Sequence, residues 1–146
     1  MAENAIVSAP PALLDTCLKI VKTLHGVQQW MKPAPLTMTS LANECLGLHE
    51  MLTQGRDSMD AAQNNQPQLV KTMEGFLLGC SMTVSVVDEY AMELYEAVTL
   101  IVSTITDTAL KADIRLLWKE EDMKELLSQT RGYQNRLRSL LDSFDK

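Results

Sequence analysis

Proline and glycine are scarce in this chain, and their scarcity favours helices. The 146 residues include five Pro and six Gly. Long stretches free of both argue against an all-β fold, which needs frequent turns. Aromatic residues are also few, so nine Met and many Leu must fill the core. A chain of this length can bury enough surface to fold without a metal ion or a disulfide.

Positive charge is also in short supply, which excludes one class of partner. The formal net charge is −6 at pH 7, and no Lys/Arg cluster is present. Nucleic-acid backbones require a basic protein face, so we expect no nucleic-acid binding. The same deficit disfavours docking on anionic lipid by charge alone.

Metal-binding spacings and targeting segments are missing as well. Cys17, Cys45 and Cys80 lie far apart in sequence, with no CxxC or Cys/His spacing for zinc. Residues 97–105 form the longest strongly apolar stretch, which is too short to span a bilayer. The N-terminal residues do not resemble a signal peptide. We therefore expect buried free thiols, no cofactor and a cytoplasmic protein.

What the sequence does contain is a sustained helical periodicity. Apolar residues recur at alternating steps of three and four, which places them on one face of successive helices. These stripes comprise Leu13, Cys17, Ile20, Leu24, Val27 and Met31; Met38, Leu41, Cys45, Leu48 and Leu52; Leu77, Cys80, Val84, Val87, Ala91, Leu94, Val98, Ile101 and Ile105; and Met123, Leu126, Thr130, Tyr133, Leu137, Leu140 and Phe144. The pattern predicts an all-α, antiparallel bundle of four to five amphipathic helices.

Local signals suggest where these helices begin and end. Pro10-Pro11 predicts a flexible arm over 1–11, followed by a single helical-bundle domain over 12–146. Gly55 is a natural stop for the second helix, and Pro67 suits the first turn of the third. Candidate helix N-caps are Thr37, Thr39 and Ser40 for the second helix, and Asp107 and Thr108 for a fourth carrying Leu110, Ile114, Leu117 and Trp118. Asp122, followed by Glu125, resembles a capping box that opens a fifth helix; the alternative is one long helix that runs through it.

Cys45 and His49 are the strongest candidates for catalysis, and they remain weak. A nucleophile and its base could stand side by side at this spacing, yet no third group is evident to orient the base. A core cysteine beside a surface histidine explains the same two residues. We therefore expect a protein that is not an enzyme.

Two other features are candidates for partner binding. Asp88, Glu89, Glu93 and Glu96 form an acidic group on the third helix. Paired carboxylates can do acid–base work or hold a metal, but the chain has no Glu-x-x-His signature of a di-metal bundle. The group is otherwise a solvated face or a docking surface for a basic partner. Trp30 beside the proline break either covers the end of the bundle or is an exposed binding anchor. By its apolar spacing, we expect Trp118 to be a core or hinge anchor rather than a ligand platform. We expect the Gly75-x-x-x-Gly79 spacing to mark close helix packing rather than membrane association, because the apolar run is short.

Several segments also carry a family resemblance. They are residues 14–20 (LDTCLKI), 41–45 (LANEC), 79–89 (GCSMTVSVVDE), 118–127 (WKEEDMKELL) and 131–134 (RGYQ). In these the chain resembles the helical N-terminal domains of filamentous-fungal proteins, related to HeLo-like and fungal death-pathway domains.

The resemblance implies an all-α module placed before other domains in a larger signalling or NLR-like protein. It implies a non-catalytic role in protein–protein interaction or assembly. The apolar stripes themselves indicate self-association as well, as in a homodimer, because exposed apolar residues could extend the bundle across a two-fold axis. The alternative is a membrane-active cell-death effector of the HeLo type. Ala9-Pro10-Pro11 and the polar Glu3 and Asn4 depart from an inserting N-terminal segment.

Overall fold

A computed structural model describes residues 2–31, 34–62, 66–104 and 117–144, and these residues form four α-helices and no strand. The helices are α1 (Ala2–Gln28), α2 (Leu36–Ala62), α3 (Pro67–Thr104) and α4 (Glu120–Phe144). The predicted all-α bundle is confirmed. The proposed fourth helix, from Asp107 towards Trp118, falls mainly on 105–116, outside the described residues.

The four helices form a square in which consecutive helices run antiparallel. α1 packs against α2 and α3, and α4 packs against the same two helices from the opposite corner. Lys19 contacts Asp88 and Gly26 lies against Tyr95, so the neighbours α1 and α3 are parallel. α2 and α4 are likewise parallel, whereas α2 and α3 sit on a diagonal with little contact.

The predicted apolar stripes form the core. Every member of the first two stripes is buried, and so are the members of the third from Leu77 to Val98. In α4 the most buried positions are Met123, Thr130 and Leu137, each 1% exposed. Thr130 satisfies its hydroxyl by donating to the Leu126 carbonyl at 2.8 Å. Burial of each large apolar side chain contributes about 1.5–3 kcal/mol, which makes these stripes the main source of stability.

The first helix begins ten residues earlier than predicted. α1 starts at Ala2 and continues through Pro10-Pro11, so the arm predicted over 1–11 is helical along 2–11. Each proline removes the hydrogen bond that its own nitrogen would donate, and its ring crowds the carbonyl four residues earlier. A helix can continue past them with a kink.

The N-caps predicted for α2 and α4 were also wrong. The Pro35 carbonyl accepts hydrogen bonds from the Met38 and Thr39 nitrogens, so α2 begins before the predicted caps at Thr37, Thr39 and Ser40. The Lys119 carbonyl accepts from the Met123 nitrogen at 2.9 Å. α4 therefore begins at Glu120, and Asp122 lies inside its first turn, where an acidic side chain is favourable.

Gly55 does not end α2, which runs on to Ala62. A Cβ added at Gly55 would lie 2.5 Å from Leu141 Cδ2, and one at Gly47 would lie 2.6 Å from Gln134 Nε2. These two glycines let α4 approach α2 closely. The third helix does begin at Pro67, as predicted.

Candidate functional site

A continuous row of solvent-facing side chains runs along α3. Steps of three and four residues place them on one side of the helix, and we call this row the outer face of α3. It comprises Gly75, Leu78, Met82, Val86, Glu89, Glu93, Glu96 and Leu100. Its first half is apolar and its second half is mainly acidic.

The apolar residues of the outer face are unusually exposed for their type. Leu78 is 68% exposed, Met82 67% and Val86 50%. The opposite side of α3 is packed against the bundle, where Cys80 and Val84 are at most 2% exposed. α3 is therefore apolar on two sides, of which the bundle covers one. Such a helix is typical of a protein that buries its second apolar side against a partner.

Glycine keeps the start of the outer face flat. A Cβ added at Gly75 would meet no atom within 4 Å, so this glycine faces open space. Gly79 instead packs against the bundle, with the Tyr133 hydroxyl 3.2 Å from where its Cβ would lie. The close packing predicted for the Gly75-x-x-x-Gly79 spacing is confirmed only for Gly79.

The predicted acidic group separates into two parts. Glu89, Glu93 and Glu96 are exposed and lie on the outer face. Asp88 turns towards α1, where its Oδ2 lies 3.4 Å from Lys19 Nζ and its side chain is 21% exposed. Its Oδ1 accepts no hydrogen bond from the described residues. Of these four acidic residues, the three glutamates are thus the ones available to a partner.

Trp30 is exposed but stands away from the outer face. It follows the end of α1, where its backbone nitrogen donates to the Val27 carbonyl at 3.0 Å. Its side chain is 47% exposed. Because α1 and α3 are parallel, Trp30 lies level with the C-terminal end of α3. The structure therefore favours the exposed alternative for this residue.

Trp118 anchors the end of the bundle, as predicted. It is 5% exposed, and its Nε1 donates to Thr37 Oγ1 at 2.8 Å. The Thr37 hydroxyl in turn donates to Glu120 Oε2 at 2.8 Å. This chain of hydrogen bonds ties the first turns of α2 and α4 together, because buried polar groups are costly without partners.

The Cys45–His49 pair lacks an activated nucleophile. Cys45 is fully buried, and burial raises the pKa of its thiol well above the ordinary value. Neighbouring Cys17, Cys80 and Glu44 raise that pKa further. The thiolate is the nucleophilic form of cysteine, so this residue stays unreactive near neutral pH.

The three cysteines, distant in sequence, all lie in the core. All three are free and buried, as predicted. Burial raises the pKa of Cys17 to about 12. Burial first, then the proximity of Cys17, raises the pKa of Cys80 to about 12. Within the described ranges, no group of three or more His, Cys, Asp or Glu is placed to hold a metal ion.

The described surface also has shallow, open grooves. One of about 420 Å³ lies between α2 and α4, where Glu50, Arg138 and Asp142 meet Gly47 and Gly55. A second, of about 660 Å³, lies between the same helices near Leu36 and Gly132. Both are open clefts without the enclosed apolar walls typical of small-molecule sites.

One helix in the described part of the chain is long and apolar enough to cross a membrane. It covers Pro67–Ser103, with a mean hydropathy of 1.2 over its most apolar 18 residues. Of that window, 39% is buried inside the bundle. The core helix of a soluble protein meets the same criteria of length and composition.

Comparison with known proteins adds no relative. No family model, no curated protein and no solved structure matches the chain.

The sequence carried a signal for the outer face that periodicity alone did not resolve. Leu78, Met82 and Val86 recur every four residues. They run beside the buried stripe of Leu77, Cys80 and Val84, and together the two sets look like one wide core face. Only the positions of α1 and α4 separate them.

Proposed function

We propose that this chain is a non-catalytic helical docking domain of a fungal intracellular signalling protein, and that it binds another protein through the outer face of α3. The observation that carries the proposal is the exposure of Leu78, Met82 and Val86 in one line. Large contiguous apolar patches on a protein surface commonly mark interaction sites. The family resemblance supports the signalling context.

The shape and charge of the outer face select the kind of partner. A ridge of apolar residues spaced by four along a helix fits the apolar stripe of another helix. Glu89, Glu93 and Glu96 continue that ridge and favour Lys or Arg at the corresponding end of the partner. The partner segment is therefore an amphipathic helix with at least one basic residue.

The alternative is a membrane-active effector, for which the apolarity of α3 is the specific observation. Insertion of α3 would strip the core of its buried stripe, and the glutamates of the outer face would be repelled by anionic lipid. Leakage from anionic vesicles that depends on Leu78 and Met82 would favour this alternative over protein docking.

We expect the double substitution Leu78→Ser/Met82→Ser to abolish complex formation by the full-length gene product in its own cells. Native sizing of the cell extract measures the complex. Surface substitutions of this kind change the free energy of unfolding by up to about 0.5 kcal/mol each, or about 1 kcal/mol for the pair, so loss of the complex would reflect the surface itself.

The matched control is Leu36→Ser/Leu46→Ser, which changes two exposed leucines of α2 and leaves α3 intact. Leu36 is 85% exposed and Leu46 37%. The control should retain the wild-type complex. If the α3 variant and the control migrate alike, the docking function assigned to the outer face is wrong.

A further inference from the structure

We infer that the helix that covers the outer face of α3 is α3 of a second copy of this chain, packed antiparallel about a two-fold axis at Met82. This inference rests on the proposed docking function and names its partner. A two-fold axis brings together residues that are equidistant from it in opposite directions along the helix.

The apolar part of the outer face is symmetric about Met82. Leu78 and Val86 each lie four residues from it, so each Leu78 would pack against Val86 of the second copy. The two Met82 side chains would meet on the axis. Met adapts well to such a contact because its side chain is flexible and polarisable.

The polar residues on either side of the apolar part are complementary in the same register, since Gln68 and Lys71 precede the outer face on the same side of α3. Lys71 and Glu93 each lie eleven residues from Met82, and both are exposed. The axis therefore places each Lys71 opposite Glu93 of the second copy. Gln68 and Glu96, also exposed, lie fourteen residues from Met82 and would face each other as donor and acceptor.

The remaining position fits by size. Glu89 and Gly75 each lie seven residues from Met82, and no atom lies within 4 Å of a Cβ built at Gly75. The longer glutamate side chain would lie over the glycine, where the surface is flat.

Lys71 favours a second copy over a helix that is basic throughout. It lies on the same side of α3 as Met82, at one end of the apolar ridge. A partner helix that is basic throughout would set a cation against Lys71, which is unfavourable. A second copy instead supplies a carboxylate there and a cation opposite Glu93.

The pairing is expected to be reversible. Residues 68–96 extend over about 42 Å of helix. A contact between one helix and one helix buries less than the roughly 800 Å² per partner of a standard stable interface. We therefore expect dimers to form at tens to hundreds of micromolar. The chain by itself should show them at these concentrations.

Cysteine cross-linking of the whole chain tests the position of the axis. Met82→Cys should give a disulfide-linked dimer under mild oxidation, because the two new thiols meet on the axis. The native cysteines do not compete, since all three are buried. Leu100→Cys is the matched control: its side chain is 64% exposed, and the two copies of residue 100 would lie about 54 Å apart.

Charge exchange tests the pairing of Lys71 with Glu93. Lys71→Glu and Glu93→Lys should each weaken self-association about tenfold, as measured by sedimentation equilibrium at low salt. An equimolar mixture of the two variants should restore wild-type association, since every pair is again of opposite charge. Lys124→Glu, on α4, should have no effect.

A wild-type chain that stays monomeric at millimolar concentration would overturn self-pairing, and so would Met82→Cys and Leu100→Cys variants that cross-link equally. If the complex of the full-length protein still depends on Leu78 and Met82, self-pairing alone falls and docking to another protein stands. If that complex is insensitive to both residues, both proposals fall.

Discussion

Raising the pH from 8 to 10 should lower the free energy of unfolding by about 4 kcal/mol through the three buried thiols. The ordinary pKa of a cysteine, 9.0, applies to the unfolded chain. Burial raises the pKa of Cys17 and of Cys80 to about 12. It also raises the pKa of Cys45. Above pH 9 the unfolded state alone loses these protons. Each thiol then costs about 1.4 kcal/mol per pH unit.

The sign follows from which state binds more protons. Because the folded pKa values are raised, the stabilisation is complete below pH 9 and is lost as the pH rises towards 12. Urea unfolding at pH 8, 9 and 10 with a reducing agent measures the effect. Cys17→Ala should remove about a third of the pH dependence, while lysine and tyrosine titrations cancel in the comparison. A variant with the full wild-type pH dependence would show that the thiols do not carry it.

Leu24→Ala should lower the free energy of unfolding by about 2–5 kcal/mol, whereas Leu78→Ala should change it by no more than about 0.5 kcal/mol. Leu24 is 1% exposed in the core, and Leu78 is 68% exposed on the outer face. The same truncation therefore leaves a cavity at one position and only trims the surface at the other. Urea unfolding at low protein concentration, far below the range of the proposed self-association, measures both.

Equal losses at Leu24 and Leu78 would contradict this assignment. They would mean that the outer face is covered within a single chain. A control at a second buried position, Leu48→Ala, should behave like Leu24→Ala, since Leu48 is fully buried. Agreement between the two buried positions would show that the difference arises from burial rather than from the particular helix.

The sequence predicted the helices and their buried stripes well because amphipathic periodicity reports which side of a helix faces the core. It missed Val70, Met73 and Phe76, which lie before the predicted stripe and are at most 8% exposed. The rings of Phe76 and Tyr133 meet edge to face, with their centroids 5.7 Å apart. That contact requires the position of α4, which periodicity within α3 does not encode.

Helix ends were predicted less well because glycine and proline have more than one use. Gly55 looked like a stop signal, yet its role is to admit Leu141 of a neighbouring helix. Pro10-Pro11 looked like a break, yet α1 runs through both. In each case, whether the helix continues depends on more than the residues next to the glycine or proline in sequence.

The candidate site was predicted only in its acidic half. Glu89, Glu93 and Glu96 stood out by charge, whereas Leu78 and Met82 were indistinguishable from core residues. Asp88 was grouped with the glutamates, but its contact with Lys19 removes it from the outer face. Which apolar residues remain uncovered depends on where the neighbouring helices lie. The positions of those helices are set by the whole fold and cannot be read from the local sequence of α3.

Oxidation of Met82 tests most directly whether the outer face of α3 is a binding surface. Met82 is 67% exposed, and the fully buried Met38 provides a slow internal reference. Footprinting with mass spectrometry should find Met82 oxidised rapidly in dilute purified protein and protected at least severalfold in intact cells. Equal oxidation of Met82, relative to Met38, under both conditions would mean that no partner covers this face.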